Sequence, residues 1–265
     1  MLTNSTFLKG LIIQATDGEL GTVDQFYFDD ETWAIRYLTV ETGGWFDGRE
    51  VLLSPFSVVR TDRQAKRLDV SLTKKQVENS PDINKHLPVS RQHEAEYNLY
   101  YGYPYYWGGP YLWGPVLYPA DLGIPATAST KAAEKIESES PDSHLRSTEA
   151  ITGYYVEATD GEIGHVEGFV IDDEAWAIRY VEVATRNWLP GKKVLISPAW
   201  IARVSWEESK IYAGLSREAI KTCPEYVLSR PVNREYENRL YDHYGLPPYW
   251  VHEAKRRSSL AMSGV

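Results

Sequence analysis

Five acids near the first turns recur at one fixed spacing. Asp17, Glu19, Asp29, Asp30 and Glu31 reappear 143 positions later as Asp160, Glu162, Asp172, Asp173 and Glu174. Clustered carboxylates can exchange protons with a substrate or hold a hard cation. They also stand where the chain must turn, and there Asp accepts bonds from nearby backbone amides without any ligand. Turn chemistry is the expected role. Arg36 and Arg179 form a second recurring set, inside "WAIRYLTVE" and "WAIRYVEVA". By strand alternation Arg36 shares a face with Ala34 and Leu38, while Trp33, Ile35 and Tyr37 share the other. Both faces read as buried, and a buried guanidinium needs a carboxylate or several carbonyls. Each arginine is therefore expected to pair with a repeat-preserved acid of its own half. Asp29, Asp30, Asp172 and Asp173 are the candidates, with a docking contact as the alternative role.

The remaining reactive side chains offer less. His86, His93, His165, His243 and His252 face Ser229, Tyr236, Thr22, Tyr100 and Gly109 across the spacing of 143, and His144 stands between the halves. A metal or acid–base site common to both halves would keep its ligands in both, so no metal, cofactor or catalytic residue is expected. Cys223 corresponds to Ser80, each followed by proline. A nucleophile needs a positioned base, and no such pattern surrounds it. A small buried or capping residue is expected. A single cysteine also rules out an intrachain disulfide and suits a reducing compartment. Trp33 and Trp176 read as core. Trp45 and Trp188 stand in "TGGWFDGRE" and "TRNWLPGKK", which differ in charge, and Trp107 and Trp250 end aromatic tails. Tryptophans of these kinds anchor cores when buried and interfaces when exposed.

The elements that position these residues repeat as well. From residue 8 to 107 the chain aligns with 151–250 without a gap, and about 37 of the 100 positions are identical. So long a period indicates two whole domains rather than a solenoid. "GLIIQATDGELGTVDQFYFDD" holds two β-rich runs around Asp17-Gly18, a hairpin signal because glycine supplies positive φ without a clash. "TWAIRYLTVE" is a further strand. "EVLLSPFSVVRTD" gives two more, broken at Ser54-Pro55 because proline cannot donate to a central ladder. "KRLDVSL" is the sixth. "TKKQVENSP" and "SREAIKTCP" read as short helices that close each half. The expected fold is mainly β: two tandem small β-barrels, closed or nearly so, each with a short helix after its last strand. The aromatic tails are expected to pack on the barrels. The expected boundaries are 1–107 and 151–250 for the domains, 108–150 for a flexible polar linker, and 251–265 for a disordered tail.

Charge narrows the function. The net charge is −9, and the segments 1–107, 108–150 and 151–265 carry −4, −3 and −2. None has the basic footprint of a phosphate-tracking surface, so nucleic acid is not an expected partner. No stretch approaches the ~18 consecutive apolar residues of a membrane helix, and the first residues show no leader pattern. A cytoplasmic protein is expected, reaching a membrane only through a partner.

Each half resembles a PRC-barrel domain. The residues that carry the resemblance are "DGELGTVDQFYFDD", "WAIRYLTVE", "VLLSP" and "LTKKQVENSP", with "DGEIGHVEGFVIDD", "WAIRYVEVA", "VLISP" and "LSREAIKTCP" in the second copy. The resemblance covers about 70–75 residues of each half. The family includes the cytoplasmic domain of the photosynthetic reaction centre H subunit and the C-terminal domain of a ribosome maturation factor. It implies a compact barrel that works by contact, with no shared catalytic set. The expected function is that of a non-enzymatic binding or assembly module, bacterial or archaeal, docking on a protein partner. A reaction-centre-like role in electron or proton transfer and a ribosome- or RNA-maturation role are the alternatives. Two barrels on one chain could pair with each other or bridge two partners.

Overall fold

The computed structural model describes residues 1–43, 51–81, 91–109, 111–121, 144–185, 192–251 and 253–254. The first half runs β1 (Leu2–Asn4), α1 (Ser5–Leu8), β2 (Ile12–Ala15), β3 (Gly18–Asp29), β4 (Ile35–Glu41), β5 (Val51–Leu53), β6 (Val58–Asp62), β7 (Arg67–Val70), α2 (Lys74–Glu78) and α3 (Arg91–Tyr101). The second runs β8 (Leu145–Ser147), α4 (Thr148–Ile151), β9 (Tyr155–Ala158), β10 (Gly161–Asp172), β11 (Ala177–Ala184), β12 (Lys193–Ile196), β13 (Ile201–Ser205), β14 (Lys210–Ala213), α5 (Arg217–Thr222) and α6 (Arg234–Tyr244). The fold is mainly β. One seven-stranded sheet has the order β5-β4-β3-β2-β7-β6 with β8 on β3. The other has β12-β11-β10-β9-β14-β13 with β1 on β10. Both paths are open rather than closed, and in each the chain breaks at Ser-Pro between the two end strands, β5 and β6 or β12 and β13. Ser54 there caps a 3-10 turn, Pro55–Ser57, by accepting from the Phe56 amide. By contact density the chain divides into two compact units, Met1–Gly153 with Glu167–Val181, and Tyr154–Val166 with Glu182–Val265.

The repeated phrase "ATDGE-x-G" has a specific mechanical use. Thr16 donates its amide to the Leu72 carbonyl, and the Asp17 carboxylate accepts from the Lys74 amide at 2.8 Å, capping the start of α2. Thr159, Leu215, Asp160 and Arg217 do the same in the second copy, the last bond being 2.7 Å. A register shift at this hairpin turns Leu20 fully into the core. It also brings Gly21 so close to β4 that a Cβ there would lie 2.1 Å from the Glu41 carbonyl oxygen. The helix that follows carries a capping box between Thr73 and Gln76, which satisfies otherwise orphaned amides.

Strand β4 is buried along nearly its whole length, because the sheet covers one face and aromatic residues cover the other. Tyr97 of α3 accepts from the Ser54 amide at 2.9 Å and donates to the Leu52 carbonyl at 3.2 Å. Tyr101 and Tyr103 stack at 5.4 Å, and Tyr105 and Tyr106 are buried. In the second unit Trp200 packs edge-on against Tyr241 at 5.0 Å. Trp33 and Trp176 are core residues.

Part of the stretch expected to be linker is built into the first unit. Residues 145–151 form β8 and α4, the counterparts of β1 and α1. Trp113 is buried and donates from its indole to the Ala175 carbonyl at 2.8 Å. Residues 122–143, most of the tail beyond 251, and Trp45, Trp188, His86 and His252 lie outside the described residues.

Candidate functional site

Asp29 sits at the end of β3, where the chain turns towards β4. One oxygen of its carboxylate accepts from the amides of Glu31 and Thr32 at 3.1 and 2.9 Å. The other accepts from the Arg36 guanidinium at 3.3 Å. One side chain therefore shapes the turn and neutralises the buried arginine. Arg36 also donates to the Leu112 carbonyl at 2.6 Å and to the Thr32 hydroxyl at 3.2 Å. Its guanidinium lies 3.6 Å above the Tyr106 ring and 5.0 Å from that of Trp113, a geometry in which cation and ring quadrupole attract. Asp172 repeats the arrangement. It accepts from the Glu174 and Ala175 amides at 3.2 and 3.4 Å, and from Arg179 Nε and Nη2 at 3.2 and 3.0 Å.

Asp30 and Asp173 point elsewhere. Asp30 accepts from Arg146 of β8 at 2.8 Å. Asp173 accepts from Arg63 at 2.7 Å and from the Met1 ammonium at 2.8 Å. In each Asp-Asp pair, the first acid holds its own repeat's arginine and the second holds a group from the other repeat. Glu19, Glu31, Glu162 and Glu174 are exposed.

A second buried cluster lies behind Arg36. Glu94 of α3 is wholly buried. Its Oε1 accepts from the Tyr106 hydroxyl at 2.7 Å and from the Tyr37 hydroxyl at 3.1 Å. Its Oε2 lies 3.0 Å from His144 Nε2 and 3.5 Å from Arg91. Tyr106 Oη also accepts from Arg91 at 2.9 Å and meets His144 Nε2 at 2.9 Å. Burial, then the Glu94 charge, push the Tyr37 and Tyr106 hydroxyls well above the usual phenol range. They stay protonated donors, which suits them to stabilise the buried Glu94 carboxylate by hydrogen bonding. The second unit has a matching set. Tyr249 donates to Glu237 at 3.0 Å, and Arg234 pairs with Glu237 at 3.1 Å. The terminal tryptophans cover these arginines. Arg91 lies 4.5 Å from the Trp107 ring and Arg234 lies 3.8 Å from that of Trp250.

Sequence reasoning passed over Glu94, Tyr106, Trp113 and His144. The recurring "R-x-x-E" of Arg91–Glu94 and Arg234–Glu237, with the recurring Tyr-Trp, could have flagged the first two. His144 stands between the halves in sequence and has no recurring counterpart. Cys223 ends α5 as its cap and is buried. Burial pushes its thiol up, against the opposing effects of Tyr244 and Lys192, so it is a poor nucleophile.

The pairing has a pH signature. Burial disfavours the Asp29 anion, but the Arg36 guanidinium and the Thr32 amide outweigh it and hold the carboxyl below its ordinary range. Asp172 is likewise lowered, with Arg179 and the Met1 ammonium outweighing burial. Asp30 goes the other way, raised by burial despite Arg146. A depressed folded-state pKa contributes stability above the unfolded value of about 3.9, and loses it as pH falls through the folded value. Urea unfolding should therefore show stability dropping below about pH 4. An Asp29→Asn/Asp172→Asn protein should be weaker at pH 7 and fall less steeply. Parallel decline of the two proteins would show that these carboxylates do not carry the acid sensitivity.

The chemistry these groups offer is mainly internal. They neutralise buried arginines, cap helix α2 and helix α5, and close turns. The family model of the PRC-barrel domain matches residues 6–77. No curated protein matches the chain. The match runs from helix α1 through the six strands β2–β7 to helix α2, and includes Asp17, Asp29, Asp30 and Arg36. Residues 6–77 are a PRC-barrel domain.

Proposed function

We propose that the chain is a non-enzymatic tandem module that works by docking a protein partner, with residues 1–107 and 151–250 as two PRC-barrel-like domains. The supporting observation is that the repeat-preserved Asp29, Asp172, Arg36 and Arg179 are bonded to one another inside the fold. Their duplication is explained by holding the strand that follows each turn. The PRC-barrel match over the first repeat, a family implied to act in assembly, points the same way. The sequence divergence around Trp45 and Trp188 gives the two repeats different contact chemistry, one weakly acidic and one basic. Among the described residues no helix is long and apolar enough to cross a membrane. The proposed place of action is the cytoplasm, with any membrane contact made through the partner.

The test is capture from soluble and membrane fractions of the source cell, with the full chain as bait beside Trp45→Ala, Trp188→Ala, Trp107→Ala and Trp250→Ala variants. A protein retained by the full chain and lost with one folded variant is the expected result. Retention that none of the four changes alters, or nothing above control, contradicts docking through these aromatics.

A further inference from the structure

Within the first compact unit, contacts between residues of the two repeats come in reciprocal pairs. Strand β1 pairs with the end of β10, Leu2 opposite Asp172 and Asn4 opposite Val170. Strand β8 pairs with the end of β3, Leu145 opposite Asp29 and Ser147 opposite Tyr27. The Asp173 amide donates to the Met1 carbonyl at 3.2 Å, and the Asp30 amide to the His144 carbonyl at 2.9 Å. The Phe169 amide donates to the Ser5 hydroxyl at 3.2 Å, and the Phe26 amide to the Thr148 hydroxyl at 3.3 Å. Ala34 bridges Ala177. There the Ile35 amide donates to the Trp176 carbonyl at 2.7 Å, and the Ile178 amide to the Trp33 carbonyl at 2.8 Å. Shifting any one of these residue pairs by 143 positions gives its counterpart.

Both carbonyls at the Ala34 bridge belong to residues in left-handed backbone, Trp33 at φ 59° and Trp176 at φ 49°. A bulky aromatic pays for that conformation and keeps it only where surrounding structure demands it. Here the same strained residue aims its carbonyl at the other repeat in both copies. Self-complementarity of this kind, in which residue i meets j and the equivalent of j meets the equivalent of i, defines an isologous interface.

We infer that the surface made by β1, the β3–β4 turn and Ala34 in one repeat is a pairing surface. Its partner is the same surface of a second PRC-barrel-like repeat, supplied here by the other half of the chain. The covalent connection raises the effective concentration of the partner but is not what holds it. This pairing is separate from docking of any outside protein, and stands or falls without it.

The test uses the full chain with a protease site placed among residues 122–143. After cleavage, native mass spectrometry should find the two fragments together as one 1:1 complex that survives dilution to micromolar concentration. Two separated fragments, or self-paired fragments in place of the 1:1 complex, would overturn the inference. A second measurement uses the cleaved Arg63→Ala/Arg146→Ala protein, which loses the arginine contacts to Asp173 and Asp30. These ion pairs are partly exposed, so about tenfold weaker association is expected. An unchanged dissociation constant would remove these two ion pairs from the pairing surface.

Discussion

Replacing Arg36 by leucine is expected to cost about 3–5 kcal/mol of unfolding free energy, because breaking a buried pair leaves the remaining charge uncompensated. Arg36 is 3% exposed and its partner Asp29 is 7% exposed by side chain, so water cannot take over the lost contact. The leucine would also give up the bonds to the Leu112 carbonyl and the Thr32 hydroxyl, and the stacking on Tyr106. Arg36→Leu/Asp29→Asn should recover part of the loss, since the orphaned charge is then gone while the turn bonds of residue 29 can persist. Arg179→Leu should cost less, because Arg179 is 10% and Asp172 15% exposed. Chemical unfolding at pH 7 measures all three. An Arg36→Leu protein as stable as the parent would refute the structural role given to this arginine.

The second large effect is expected at the glycine that ends each repeated phrase. A Cβ on Gly164 would lie 1.9 Å from the Ala184 carbonyl oxygen, and its φ is +152°. Backbone lies on the other side of the contact, so no rotamer change relieves it. Overpacking and an unfavourable φ each cost about 1–3 kcal/mol, so Gly164→Ala should lose about 4 kcal/mol. Gly21→Ala, at 2.1 Å from Glu41 and φ +141°, should behave alike. Gly10 provides the control. Its φ is +80° with nothing within 4 Å of a Cβ, so Gly10→Ala should lose only the backbone preference, about 1–2 kcal/mol. Thermal unfolding of the three variants separates steric contact from conformational preference. Equal losses would mean that close approach to the neighbouring strand is not why the phrase recurs.

These two positions also show why much of the architecture was legible in sequence. Hairpin glycines, the Ser-Pro break, the Thr73 cap and alternation around Arg36 are local rules, and a duplicated chain states each rule twice. The Arg–Asp pairing was readable for a related reason: a charge in the middle of an apolar strand must find its counter-charge nearby. Contacts between distant segments were harder to read. Residues 2–8 and 145–151 share only one identical residue, Leu2 with Leu145, yet build the same strand and turn. Their common signal is a helix cap, Asn4 in one and Ser147 in the other. His144 and Trp113 carry no periodicity or motif that marks them, and their burial follows from packing against segments far away in the chain. The division of labour between Asp29 and Asp30 was equally hidden, since adjacent identical side chains differ only in which way the backbone sends them.

We propose that the preserved charged residues build a frame and that function lies in contact with another protein. The most direct measurement is calorimetric titration of the purified full chain with the protein that it captures, beside Trp45→Ala and Trp188→Ala variants. Saturable binding by the parent, lost in one variant whose unfolding curve is unchanged, is the predicted result. Absence of saturable binding, together with turnover of a small molecule that Asp30→Asn abolishes without disturbing the fold, would contradict it.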